Sequence, residues 1–138
     1  MNIKMYLHNS THKWRLSTRS ELKLSEISQD LAKLARRALM YSECDFSVVE
    51  GMRTIERQRE LLAEGKSWTL KSYHLVGRAV DIYPWVDGKT SHAAEHYTMV
   101  AMAMFKASQI TGVPVEWGGF WTRTVDKPHW QLPPSYVE

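Results

Sequence analysis

Between Ser72 and Tyr83 the chain reads Ser-Tyr-His-Leu-Val-Gly-Arg-Ala-Val-Asp-Ile-Tyr, and this run constrains the fold more than any other. Gly77 marks a turn, the residues from about 78 to 83 look like a strand, and Pro84 is expected to end it. His74 and Asp81 then lie at the two ends of a glycine turn and a strand, where they can converge on one cation. Zinc is well served by a neutral imidazole nitrogen and a carboxylate oxygen. Two ligands do not make a site, so the rest of the chain must supply a third ligand and a base.

The surrounding pattern gives the frame. A helix is predicted over about 28–40, where Leu31, Leu34, Ala35, Ala38 and Leu39 recur at three and four residues and Asp30, Lys33, Arg36 and Arg37 cover the other face. Asp45–Glu50 reads as a strand stopped by Gly51. Thr54 caps a helix over about 55–63 that Gly65 ends, with Arg57, Arg59 and Glu60 as surface charge. A loop with Trp68 spans 66–71, and Val86-Asp87-Gly88-Lys89 is a turn signal. A third helix is expected over about 93–110, then a short strand over 113–117 and a last strand after Asp126. Residues 1–20 read as a polar arm anchored by Tyr6, Leu7, Trp14 and Leu16, with His8 and His12 on its surface. The strands are few, mostly late, and do not alternate with helices. The expectation is one α+β domain over residues 1–138, a small antiparallel sheet with about three helices.

Composition narrows the function classes. Six Trp and six Tyr make the expected core aromatic-rich, and a single cysteine excludes an intrachain disulfide. Cys44 reads as a small, partly buried side chain rather than a nucleophile, since nothing near it would lower its pKa. The net charge of +3 and pI near 9.0 imply mild attraction to polyanions, whether nucleic acid, envelope polymers or anionic peptides. The first residues carry no apolar signal region, and no apolar run approaches the roughly 18 residues of a membrane helix, so synthesis in the cytoplasm without membrane insertion is expected.

Two metal patterns compete. His92-Ala93-Ala94-Glu95-His96 matches H-x-x-E-H, in which two histidines four apart bind zinc beside a glutamate base. That architecture needs another acidic ligand on a downstream helix, and none is evident. The other pattern joins His74 and Asp81 to His129 near the last strand. Three ligands leave a zinc position open, as a catalytic site requires. Asp126 can then serve as general base and Arg53 can hold a substrate carbonyl and its oxyanion. By spacing alone, the same residues also fit ordinary polar side chains scattered from Arg53 to His129.

Taken together, Gly51-x-Arg53, Ser72-x-His74-x-x-Gly77-x-Ala79-x-Asp81, Trp117-Gly118-Gly119 and Asp126-x-Pro128-His129 resemble the zinc peptidases of the D-Ala-D-Ala carboxypeptidase (VanY-like) type. That group includes phage L-alanyl-D-glutamate endopeptidases and shares its zinc-site fold with hedgehog signalling domains. The resemblance runs from about Leu31 to Leu132. It implies one zinc per chain on His74, Asp81 and His129, with Asp126 as the acid/base (a glutamate in many relatives). It implies Arg53 as the residue polarising the scissile carbonyl, and Ser72 as a contact to substrate or an anchor of its loop. Trp130 follows the ligand histidine as an aromatic, as in many relatives. Phe120-Trp121 depart from the pattern, since many phage-type members carry Asp after Gly-Gly.

The implied activity is zinc-dependent hydrolysis of an amide in the peptidoglycan stem peptide by a phage endolysin cutting L-Ala–D-Glu. Such an enzyme is expected as a monomer that is made in the host cytoplasm and acts in the periplasm or wall once a holin opens the membrane. A D-Ala-D-Ala carboxypeptidase or dipeptidase on the same fold is the alternative. A small basic nucleic-acid-binding protein is the rival from another class, but no helix-turn-helix, zinc-finger or aromatic-sheet motif supports it and no nucleic-acid partner is expected.

Overall fold

The computed structural model describes residues 14–67, 69 and 71–138. The arm residues Tyr6, Leu7, His8 and His12, and Trp68 of the loop, lie outside these. Four α-helices and an antiparallel sheet make up the described chain. In order they are α1 (Thr18–Ser25), α2 (Gln29–Tyr41), β1 (Asp45–Glu50), α3 (Ile55–Ala63), β2 (Ala79–Val86), β3 (Lys89–Thr90), α4 (Ala94–Thr111), β4 (Glu116–Trp117) and β5 (His129–Gln131). Short 3-10 turns at Tyr73–Val76 and Gly118–Phe120 precede β2 and follow β4.

Hydroxyl caps start three of the helices. Ser17, Ser28 and Thr54 accept the backbone N–H groups of Ser20, Leu31 and Arg57, satisfying donors that a helix start leaves without partners. The expected arm therefore ends earlier than residue 20, because Ser17 opens α1. That helix is hard to read from sequence: only Ser20 and Leu24 are buried in it, too few for an apolar stripe. Ser20 is buried to hydrogen-bond the Val48 N–H at 3.0 Å, which closes off part of the β1 edge. Trp14 and Leu16 do pack against the core, and the Trp14 indole donates to the Ser42 carbonyl.

The strand order is β1-β2-β5-β4, with β3 also pairing β2 through the Asp87-Gly88 hairpin. β2 runs past Pro84 to Val86, longer than expected. At this position Phe46 and Pro84 face each other without bonding: the Pro84 carbonyl accepts the Ser91 N–H and the Phe46 N–H goes to Asp45 Oδ1, so the proline's missing N–H breaks no bond to β1. The expected strand over 113–117 pairs only at Glu116 and Trp117.

α2 and α4 pack together, and their apolar faces meet one side of the sheet. Leu31, Leu34, Val80, Ile82, Val100, Met104, Trp130 and Leu132 belong to one buried cluster. Cys44 is buried in it too, and burial pushes its thiol pKa up, as an inert side chain requires. Trp117 and Trp130 stack with centroids 5.5 Å apart across β4 and β5, a contact worth about 0.5–1.5 kcal/mol beyond its buried area. Strand periodicity then decides where the polar residues go. Val80 lies opposite Trp130 and both enter the core, whereas the next pair, Asp81 and His129, points to the other face.

Candidate active site

Three segments deliver the polar cluster on that face. β2 and β5 place Asp81 directly beside His129. His74 comes from the 3-10 turn, which Ser72 caps by accepting the His74 N–H at 3.2 Å. Gly77 ends the turn in the left-handed region at φ 69°, a conformation an L side chain adopts only with strain, and so returns the chain into β2.

His74 Nε2 lies 3.3 Å and His129 Nδ1 lies 3.4 Å from Asp81 Oδ1. Ligand atoms of the three residues all fall within 4.8 Å of one another, and this is the group among the described residues that can hold a metal ion. The other nitrogen of each imidazole is engaged. His74 Nδ1 lies 2.8 Å from the Gly51 carbonyl, and His129 Nε2 lies 2.8 Å from Gln131 Oε1. Both acceptors take a proton from the nitrogen they face, which in the neutral rings leaves His74 Nε2 and His129 Nδ1 as lone-pair donors toward Asp81. Two lone pairs facing a carboxylate cannot hydrogen-bond to it. Accordingly, His74 Nε2 and Asp81 Oδ1 are buried without a hydrogen-bond partner in the protein. Buried polar atoms without partners are costly, and a cation between them removes that cost. Two imidazoles and one carboxylate fit zinc in number and chemistry.

Burial alone would raise the Asp81 pKa, but when no cation is bound, hydrogen bonds and positive charge from His129 and His74 in their protonated forms outweigh it and hold the carboxyl well below its ordinary range. A ligand carboxylate that stays ionised is what a cation needs.

Asp126 sits at the rim, with its carboxylate 4.0 Å from His129 Nδ1 and half exposed. Burial, reinforced by the charge of Asp81, pushes its pKa up from the ordinary carboxylate value. The loop that carries it is tightly closed. Asp126 N–H and Trp121 N–H both donate to the Gly118 carbonyl, and His129 N–H donates to the Asp126 carbonyl. Gly118 is required here because a Cβ on it would come within 2.3 Å of the Asp126 carbonyl oxygen.

Arg53 lies at the carboxyl end of β1. Its Nε donates to Glu50 at 2.6 Å and its Nη1 to Gln58 at 2.7 Å, with Ser72 Oγ 3.5 Å from Nη1. Arg53, Ser72, His74, Asp81, His129 and Asp126 all line one cleft of about 810 Å³. The structure therefore brings together the residues of the second pattern, while His92, Glu95 and His96 lie outside this cleft lining.

The supporting residues escaped the sequence. Glu50 faces Arg53 because a bulge between Val48 and Glu50 resets the register so that Glu50 lies opposite Asp81. Gln58 resembles a surface residue of α3 but is fully buried, donating to Ser67 Oγ and the Thr69 carbonyl. Gln131 was legible in principle, since two residues along a strand return to the same face as His129. The H-x-x-E-H segment has other work: His92 Nδ1 pairs with the Tyr97 hydroxyl at 2.8 Å and His96 Nδ1 with Ser91 Oγ at 2.6 Å. Neither histidine joins a metal-capable group among the described residues. At the departure from the family pattern, Trp121 packs 5.1 Å from the His129 ring and lines the cleft, while Phe120 stacks on Phe105.

Known proteins resemble this chain in sequence and in fold. The profile of the phage L-alanyl-D-glutamate peptidase family matches residues 12–131. An L-alanyl-D-glutamate peptidase of Escherichia phage T5 is 32% identical over 117 residues, covering 82% of this chain and 85% of that protein. One of Listeria phage A118 is 32% identical over 118 residues, covering 83% of this chain and 41% of that longer protein. The crystal structure of an L-Ala D-Glu endopeptidase of Serratia marcescens superposes with a TM-score of 0.83 at 41% identity, covering 89% of this chain and 92% of that one.

Proposed function

The chain belongs to the phage L-alanyl-D-glutamate peptidase family, and we propose that it is a zinc-dependent endolysin that hydrolyses the L-Ala–D-Glu amide of the peptidoglycan stem peptide. The peptidase activity follows the relatives, whose names specify that bond. The zinc dependence rests on one observation: His74 Nε2, Asp81 Oδ1 and His129 Nδ1 converge while each imidazole's second nitrogen is held by a carbonyl oxygen. His74, Asp81 and His129 are the ligands on this reading.

Zinc bound there supplies a Lewis acid for the scissile carbonyl and lowers the pKa of water. Asp126, on its anchored loop beside the ligands, accepts the proton of the attacking water and returns it to the departing amine. Its raised pKa suits both halves of that task. Arg53 is held through Nε and Nη1, so its Nη2 donors remain for the substrate carbonyl oxygen and the negative charge that develops on it. Ser72 holds the His74 turn and borders the same opening. The enzyme on this reading is made in the host cytoplasm and meets the wall after a holin has permeabilised the membrane.

Digestion of purified muropeptides, with product masses, tests the assignment. New L-Ala carboxyl termini and D-Glu amino termini are expected. Release of terminal D-Ala with the L-Ala–D-Glu bond intact would contradict it and favour a carboxypeptidase.

A further inference from the structure

The charges lining the cleft are segregated. Acidic groups cluster around the ligands, whereas Arg57, Lys66 and Lys71 line the part contributed by α3 and the segment leading to His74. The 121–126 segment on the His129 side contributes Trp121, Thr124, Val125 and the carboxylate of Asp126 to the lining, and its exposed Arg123 is not among the lining residues. The cations are positioned relative to the site. Buried Gln58 accepts from Arg53 through Oε1 and donates to Ser67 and Thr69 through Nε2, tying the segment that bears Lys66 and Lys71 to Arg53. Arg57 and Lys66 contact Glu60 and Glu64 at 3.1 Å, but those pairs are about half exposed and weakly held, so either cation can turn to an incoming anion. Lys71 makes no ion pair among the described residues.

We propose that Arg57, Lys66 and Lys71 form a carboxylate-binding rim that selects and orients the substrate through the free carboxylate of its D-glutamate residue. The inference rests on the L-Ala–D-Glu peptidase reading. A D-glutamate residue has two carboxyl groups besides its amine, and continuing the peptide uses one of them. The other stays anionic at neutral pH, on the amine side of the scissile bond. Placing it over the cationic rim puts the leaving peptide toward α3 and the L-Ala side toward Trp121, Thr124 and Val125. Peptides lying the other way would set their anion beside the carboxylate of Asp126 and away from the rim, so the rim also discriminates against reversed binding.

Two synthetic stem peptides test this, identical except that the D-glutamate carboxylate of one is a carboxamide. Wild-type enzyme is expected to favour the free acid by roughly tenfold in kcat/KM, carried by KM and shrinking as salt screens the rim. In Arg57→Ala/Lys66→Ala/Lys71→Ala the preference should collapse toward unity by a rise in KM for the acid peptide. Arg57→Lys/Lys66→Arg/Lys71→Arg, which keeps the charges, should retain it. A triple alanine variant that cleaves both peptides with the wild-type preference overturns the rim. Failure of wild-type enzyme to cut either peptide between L-Ala and D-Glu overturns the peptidase reading itself.

Discussion

The metal-capable group and the carboxylate beside it sit in opposite surroundings. His74 has 2% of its side chain exposed and Asp81 19%, and strand pairing or a capped turn fixes both. Asp126 is 49% exposed, on a loop closed by backbone hydrogen bonds around Gly118. A buried, sheet-held set suits a task that demands fixed geometry, the holding of an ion. A half-exposed carboxylate on an anchored loop suits one that must meet water and a departing amine. The difference implies that metal binding and turnover can be separated by mutation, and each prediction below pulls on one side of that division.

The largest effect is expected from the buried side. His74→Ala or Asp81→Ala should abolish both zinc binding and hydrolysis, read as metal content per chain and muropeptide turnover. Asp126→Asn should lower kcat by about 10²–10⁴-fold while the bound metal stays at one per chain. Wild-type turnover in that variant would remove Asp126 from proton transfer. Gly118→Ala should act through the loop rather than the ligands. Its Cβ would overlap the Asp126 carbonyl, so kcat should fall by roughly tenfold or more and stability by about 1–3 kcal/mol, read by denaturant unfolding. Gln131→Ala removes the partner that fixes the His129 tautomer and should weaken zinc affinity by about 10–100-fold without removing the site.

The smallest effect concerns the metal-free protein. Burial would lower the His129 pKa, but Asp81 outweighs it and raises it above the ordinary 6.5. A raised histidine pKa contributes stability that is full below 6.5 and is lost as pH climbs through the folded value. The melting temperature of the metal-free protein should therefore drop on going from mildly acidic to alkaline pH, and His129→Ala should flatten that slope. An equal slope in the variant would mean that another group carries the dependence.

What the sequence exposed follows the same division. Asp81, His74 and His129 were legible because a turn glycine and a strand give them a defined local geometry, and the α2 stripe was legible because its apolar residues recur at helical spacing. α1 was missed because its burial rests on one leucine and a serine bonded to β1. The end of β2 was misplaced at Pro84, which sits where the facing Phe46 N–H is bonded to Asp45 and its own carbonyl to Ser91, so that no ladder bond to β1 needs its N–H, an arrangement that no local pattern reveals. Glu50 and Gln58, which hold Arg53, depend on a bulge and on a segment folding over α3. Long-range contacts of that kind leave no period in the sequence.

The most direct test of the account is a zinc titration of metal-stripped enzyme against a defined muropeptide. Cleavage between L-Ala and D-Glu should rise from background and saturate at one zinc per chain in wild type, with Asp126→Asn binding the same zinc but cleaving at least about a hundredfold more slowly. Full cleavage before any zinc is added, or zinc binding undiminished in Asp81→Ala, would contradict it.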